Sequence, residues 1–266
     1  MTNRTTIDER SSRPDRRLGL SSLDPRSKIL VSLGFILTLS LLPHGEFLIY
    51  ALLLMILYIC ALVSGFSPLY LIKRSVIALP FALAAVTLLF TVPGETLLTL
   101  PVSGIDISVE GTIRFTSIVT KSWISVQAAI FLVVLTGFTD LMWGLQALHT
   151  PSILTSIATF TYRYLDVLKS EASRLRTARK ARSAGPLKGK RGGSFLWRAR
   201  VTGWMVGSLM MRSIERSDRI YNAMLARGYK GQIRTLAHFE FGPSDYWSLI
   251  GAILIYGVIV AGTYLI

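Results

Sequence analysis

The sequence predicts an all-α membrane protein, with about five transmembrane helices plus two long amphipathic helices on the cytoplasmic side. Three observations carry that prediction. Of 266 residues, 51% are hydrophobic and 17% charged, with a mean hydropathy of +0.50, too little charge to cover a soluble domain of this length. The apolar residues fall in blocks close to the roughly 20 helical residues that cross a bilayer core. The net charge of +14 is confined to one stretch: residues 163–234 hold 18 basic and 4 acidic side chains, and the remainder balances.

Residues 1–24 read as a cytoplasmic tail, polar and rich in arginine (Arg4, Arg10, Arg13, Arg16, Arg17). Asp24-Pro25 predicts a helix start, with aspartate as N-cap and proline in the first turn. A helix over residues 25–42 would be about 27 Å long, leaving Arg26 and Lys28 at its cytoplasmic end. Pro43-His44-Gly45 makes a turn, and residues 47–64 form a second apolar run closed by Gly65 and Pro68. Lys73-Arg74 precedes a third run over residues 75–92, where Pro80 predicts a kink.

Residues 93–112 contain Glu95, Asp106 and Glu110 but no lysine or arginine. Alternation through Leu98-Thr99-Leu100 and Ile105-Asp106-Ile107-Ser108-Val109 predicts a small hairpin. A fourth run covers residues 115–138, interrupted by Lys121 and Gln127, and a final run covers residues 246–266. The chain therefore divides into the tail, four spans over residues 25–138, a cytoplasmic region over 139–234, and a last span within 235–266. Basic residues in the tail, at Lys73-Arg74 and in the 163–234 stretch place those parts inside. The basic-free loop lies outside. The expectation is a multi-pass protein of the cell membrane with a cytoplasmic N-terminus.

Cys60 is the single cysteine and lies inside an apolar run, so it reads as a small packing residue and no intrachain disulfide is expected. The first apolar run ends at Leu42-Pro43-His44 without a small-residue cleavage pattern, and reads as a span, not a removable leader.

Two amphipathic helices are predicted in the cytoplasmic region. The first covers residues 151–183, with Ile153, Ile157, Phe160, Tyr164 and Leu175 on one stripe, and Gly185-Pro186 stops it. A very basic loop (Lys188, Lys190, Arg191) leads to the second, over residues 195–227. Its stripe is Met210, Ile214, Tyr221 and Met224 or Leu225, opposite Arg212, Arg216 and Arg219. The first helix ends in Ala181-Arg182-Ser183 and the second in Ala226-Arg227-Gly228. Arginine followed by a small residue suits any helix C-terminus. It also suits a helix end that enters a partner's groove and pairs with a carboxylate there.

Three readings compete for this region: a basic loop resting on anionic lipid, a nucleic-acid surface, and a docking platform for a cytoplasmic partner. Nucleic acid is disfavoured because the charges belong to helices tethered between spans. Lipid contact alone does not require two long helices with similar endings. Docking is the preferred reading.

Four stretches make the chain resemble the transmembrane (T) component of energy-coupling-factor transporters, in its cobalt-type CbiQ branch. They are Leu23-Asp24-Pro25-Arg26-Ser27-Lys28, Phe160-Thr161-Tyr162-Arg163-Tyr164, Arg212-Ser213-Ile214-Glu215-Arg216-Ser217 and Ala223-Met224-Leu225-Ala226-Arg227-Gly228-Tyr229. The resemblance runs over residues 21–234. It implies a non-catalytic scaffold joining two cytoplasmic ATP-binding-cassette ATPase subunits to a membrane substrate-capture subunit. Two coupling helices then dock on the ATPases through Ala181, Arg182 and Ser183, and through Ala226, Arg227 and Gly228. Packing of those helices falls to Tyr164, Met210, Ile214 and Tyr221. Ser183 departs from the glycine common there. Cobalt is the implied cargo, for cobalamin biosynthesis, with nickel or a vitamin as alternatives.

No catalytic, cofactor or metal site is expected from the residues themselves. His44, His149 and His238 lack ligand-like spacing, and no glycine-rich phosphate loop is followed by Lys-Ser/Thr. Asp140 and Glu46 read as interface residues. Rival functions are a membrane enzyme acting on lipid or prenyl groups, and a permease working alone. The first lacks the paired acidic residues or histidines at the membrane face that its chemistry needs. The second would carry polar residues inside its spans, and here they are sparse.

Overall fold

The computed structural model describes residues 23–76, 86–87, 96–100, 105–182, 194–231 and 241–265. The third apolar run lies almost wholly outside them. The chain forms two compact units, one of Met1–Leu148 with Ala237–Ile266 and one of His149–Leu236.

In the first unit, α1 (Pro25–Leu41) starts as the sequence predicts: the Asp24 carboxylate accepts from the Arg26 N–H at 2.8 Å and proline opens the helix. Leu42 closes it, and Gly45, at φ +100°, turns the chain into α2 (Phe47–Val63). Gly65 (φ +79°) ends α2 before the short α3 (Pro68–Ser75). Two antiparallel strands, β1 (Thr96–Leu100) and β2 (Ile105–Ser108), pair Leu100 with Ile105 and carry an irregularity between Thr96 and Leu98. The predicted hairpin is thus present, an exception to an otherwise helical protein.

The predicted fourth run is longer at its start and broken at its end. It becomes α4 (Val109–Thr136), capped by the Ser108 hydroxyl on the Gly111 N–H, and then α5 (Phe138–Ala147). The break falls at Gly137, whose φ of +79° is costly for any other residue. No helix is expected from the sequence over residues 138–147, and α5 is an addition to the predicted elements. It packs across α1 at Gly144, where an added Cβ would meet Ile29 Cδ1 at 2.8 Å. The last helix, α8 (Pro243–Leu265), lies beside α1 and runs parallel to it.

The core of this unit joins Phe35 and Leu39 of α1, Leu53 and Leu57 of α2, and Ile124 and Ala128 of α4. Tyr256 of α8 meets Phe35 edge to face and donates its hydroxyl to the Val31 carbonyl at 3.1 Å. The outer faces remain apolar: Leu48 is 79% exposed and Val258 70%. A water-soluble surface would not carry such continuous apolar cover. Among the described residues, Val109–Thr136 and Pro243–Thr263 are long and apolar enough to cross a bilayer. The 17-residue apolar α2 is shorter, about 26 Å at 1.5 Å per residue.

Several polar groups inside this unit are matched near the ends of its helices. Lys121, in the middle of α4, donates to the Leu42 carbonyl that closes α1 and lies over the Tyr50 ring. Four residues earlier, Ser117 accepts from the Gly45 N–H at 3.0 Å. The lysine that interrupts the fourth run therefore stands level with the α1–α2 turn. At the opposite end, Asp245 accepts from the N–H of Asp24 (2.8 Å) and of Gly242 (3.0 Å). The Ser27 hydroxyl lies 2.9 Å from the same carboxylate and 2.7 Å from the Asp24 carbonyl, so one proton serves two acceptors.

The second unit is built on α6 (Ser152–Arg182) and α7 (Phe195–Ala226), which run antiparallel. Near the end of α6, Arg179 donates to the Thr202 hydroxyl (3.0 Å) and lies over the Trp197 ring. In the middle, Glu171 meets Arg212 and Arg216. The start of α6 faces the end of α7.

Candidate functional site

The second unit brings three of the distinctive sequence stretches together. Phe160, Thr161 and Tyr164 of α6 face Ser213, Arg216 and Ser217 of α7 across a cleft of about 380 Å³, which Met224 and Tyr229 complete. Phe160 and Tyr164 are one helical turn apart and stack at 6.3 Å. The Leu23–Lys28 stretch belongs to the other unit, where it forms the junction with Asp245.

The end of α7 is shaped by its backbone. Gly228 has φ +81°, its N–H donates to the Leu225 carbonyl (2.9 Å), and the Tyr229 N–H reaches back to the Met224 carbonyl (3.0 Å). These are the two bonds of a Schellman termination, and Met224 and Tyr229 line the same cleft. Two orphan carbonyls are satisfied, and the chain reverses immediately after Arg227. That arginine stands exposed at the corner, beside exposed Ala226 and Gly228. A rigid turn presenting one guanidinium suits pairing with a carboxylate on another surface.

At the end of α6, Ala181 and Arg182 are exposed, and Arg179, Lys180 and Arg182 crowd the negative end of the helix dipole. Ser183 lies outside the described residues. Because the helices are antiparallel, the Arg182 and Arg227 ends are at opposite ends of the pair. At 1.5 Å per residue, helices of 31 and 32 residues separate them by roughly 45 Å.

Of the four residues expected to pack the helix pair, the structure joins Tyr164 and Tyr221 at the cleft. Met210 and Ile214 face away from it, 64% and 48% exposed. The side of α7 turned inward carries Val201, Met205, Leu209, Ser213, Arg216, Ile220 and Met224, each half-buried. Its steps of three and four residues are as regular as those of the predicted stripe. Polar Ser213 and Arg216 sit in that inward row, which is why the sequence singled out the other face. Glu171 and Arg212 were likewise not recognised as partners, since only the fold brings residues 41 positions apart together.

Among the described residues, no group of three or more histidine, cysteine, aspartate or glutamate side chains gathers as a metal site.

Comparison with known proteins gives a consistent set of relatives. Residues 19–238 match the family described as cobalt transport protein, CbiQ. The chain is 27% identical over 158 residues to the cobalt transport protein CbiQ of Rhodobacter capsulatus, a match spanning 59% of this chain and 62% of that protein. It is also 25% identical over 246 residues to an uncharacterized protein of Methanocaldococcus jannaschii, covering 91% of this chain and 82% of the relative.

Proposed function

Because the chain belongs to the CbiQ cobalt transport protein family, we propose that it is the transmembrane coupling subunit of an energy-coupling-factor importer whose cargo is cobalt. The observation that carries this reading is the helix pair with similar Ala-Arg endings at opposite ends. Two tips roughly 45 Å apart suit two separate ATPase subunits better than one. Arg182 and Arg227 pair with carboxylates on them, with Ala181, Ser183, Ala226 and Gly228 letting the helix ends approach closely. The exposed apolar row of Met210, Ile214 and Leu225 on α7 is the surface for a membrane substrate-capture subunit.

The directions of the helices support five alternating spans with the N-terminus inside. In the first unit α1 and α8 are parallel, while α2 and α4 run against them. Residues 1–24 are then the cytoplasmic tail, and 139–234 connect the fourth span to the last, within 235–266. ATP binding draws the ATPases together and moves the two docked helix ends. The helices transmit that motion to the capture subunit, which tilts and releases its cargo. ATP is hydrolysed by the partners and no bond is made or broken on this chain.

Reversing the charge at Arg227 (Arg227→Glu) tests the reading. Transport should cease and ATPase co-purification should weaken. Wild-type behaviour in both refutes it. Uptake assays of the reconstituted complex with cobalt, nickel and vitamins in competition identify the cargo.

A further inference from the structure

If the two long helices couple the ATPases to the capture subunit as proposed above, they must stay in register as they move. Glu171 of α6 binds two arginines of α7, with Oε2 2.9 Å from Arg216 Nη2 and Oε1 3.5 Å from Arg212 Nη1. Those arginines are four residues apart, one above the other on the same face of α7. Both carboxylate oxygens are engaged, and the glutamate side chain is only 17% exposed. Two clefts adjoin this contact, one of about 380 Å³ toward Tyr229 and one of about 600 Å³ that runs along α6 from Asp166 to Ala178. Besides the exposed Arg179–Thr202 bond near the end of α6, the helices meet at their middle through this charged contact, with open space beside it.

We propose that Glu171 is a positioning residue, a pin that fixes the register of α6 against α7 while letting the angle between them change. Two attachment points one helical turn apart resist sliding and rotation of α7 about its own axis. The adjoining clefts leave room for scissoring. Arg216 is one-third exposed, its Nη1 has no hydrogen-bond partner, and its Nη2 is held by Glu171. Motion imposed at one tip then reaches the other as a change of angle and is not lost as slippage.

The test uses the full chain in lipid nanodiscs with its ATPases and capture subunit. Variants are Glu171→Gln, Arg216→Gln and an exchange variant that reverses the whole contact, Glu171→Arg with Arg212→Glu and Arg216→Glu. Two quantities are read: cargo released per ATP hydrolysed, and the distance distribution between spin labels at positions 177 and 206. Each single variant should lower the coupling ratio about three- to tenfold and broaden the distribution, with ATPase capture unchanged. The exchange variant should restore most of both. Single variants with wild-type coupling and distances overturn the pin, as does an exchange variant no better than the singles. The label distances need no partner. A wild-type chain that captures no ATPase refutes the coupling reading, and the pin is then judged on the distances.

Discussion

Gly228 shows how much one residue controls. Its φ of +81° has open space around the missing Cβ, so alanine there meets no clash but must adopt a left-handed backbone. That conformation costs an L-residue about 1–2 kcal/mol, and the terminal turn can unwind to avoid it. We expect Gly228→Ala to reduce ATPase capture while leaving total helix content, measured by circular dichroism, nearly unchanged. Asp245 is the counterpart in the first unit. Replacing it with alanine leaves the Asp24 and Gly242 N–H groups without their acceptor, a loss of about 2–4 kcal/mol. Thermal unfolding in detergent should show a clearly lower midpoint for Asp245→Ala and a smaller drop for Asp245→Asn. At the α1–α2 turn, burial, followed by the charges of Lys121 and Arg114, holds His44 below its usual value of 6.5. The folded state thus favours the neutral ring, and its contribution to stability fades as pH falls through 6.5. An NMR titration midpoint for His44 below 6.5 is the check.

At the scale of elements, the two faces of α7 behave differently. The inward face packs against α6, whereas the outward face leaves Met210 and Ile214 bare. Ile214→Asp should change the stability of the isolated chain by no more than about 0.5 kcal/mol yet detach the capture subunit. Leu209→Asp, on the inward row, should destabilise the helix pair itself. Co-purification and thermal unfolding separate the two outcomes. In the first unit, α4 holds the α1–α2 turn through Lys121 and Ser117. Relief of lysine desolvation opposes the loss of a partner for the Leu42 carbonyl. Because the ammonium already has that carbonyl and the Tyr50 ring, the loss should win, and Lys121→Met should cost about 1–2 kcal/mol.

For the whole molecule, the separation of the Arg182 and Arg227 ends makes a quantitative demand. Each single charge reversal should leave one ATPase attached, and the double reversal none, as native mass spectrometry of the complex would record. The membrane character, the starts of α1, α6 and α7, the stops of α1 and α7, and the similar endings of the long helices were all legible in the sequence. They rest on apolar run length, on capping residues and on glycine, which act within a few positions of the chain. The sequence thus determined where α1, α2, α7 and α8 run, where α6 begins, and which tips carry arginine. Only the tertiary structure decided which face of α7 turns inward, that Lys121 closes a helix 79 positions away, and that Glu171 joins Arg212 and Arg216. Those pairings depend on where separate helices meet. Two comparable apolar rows on one helix carry no mark of which partner each will find.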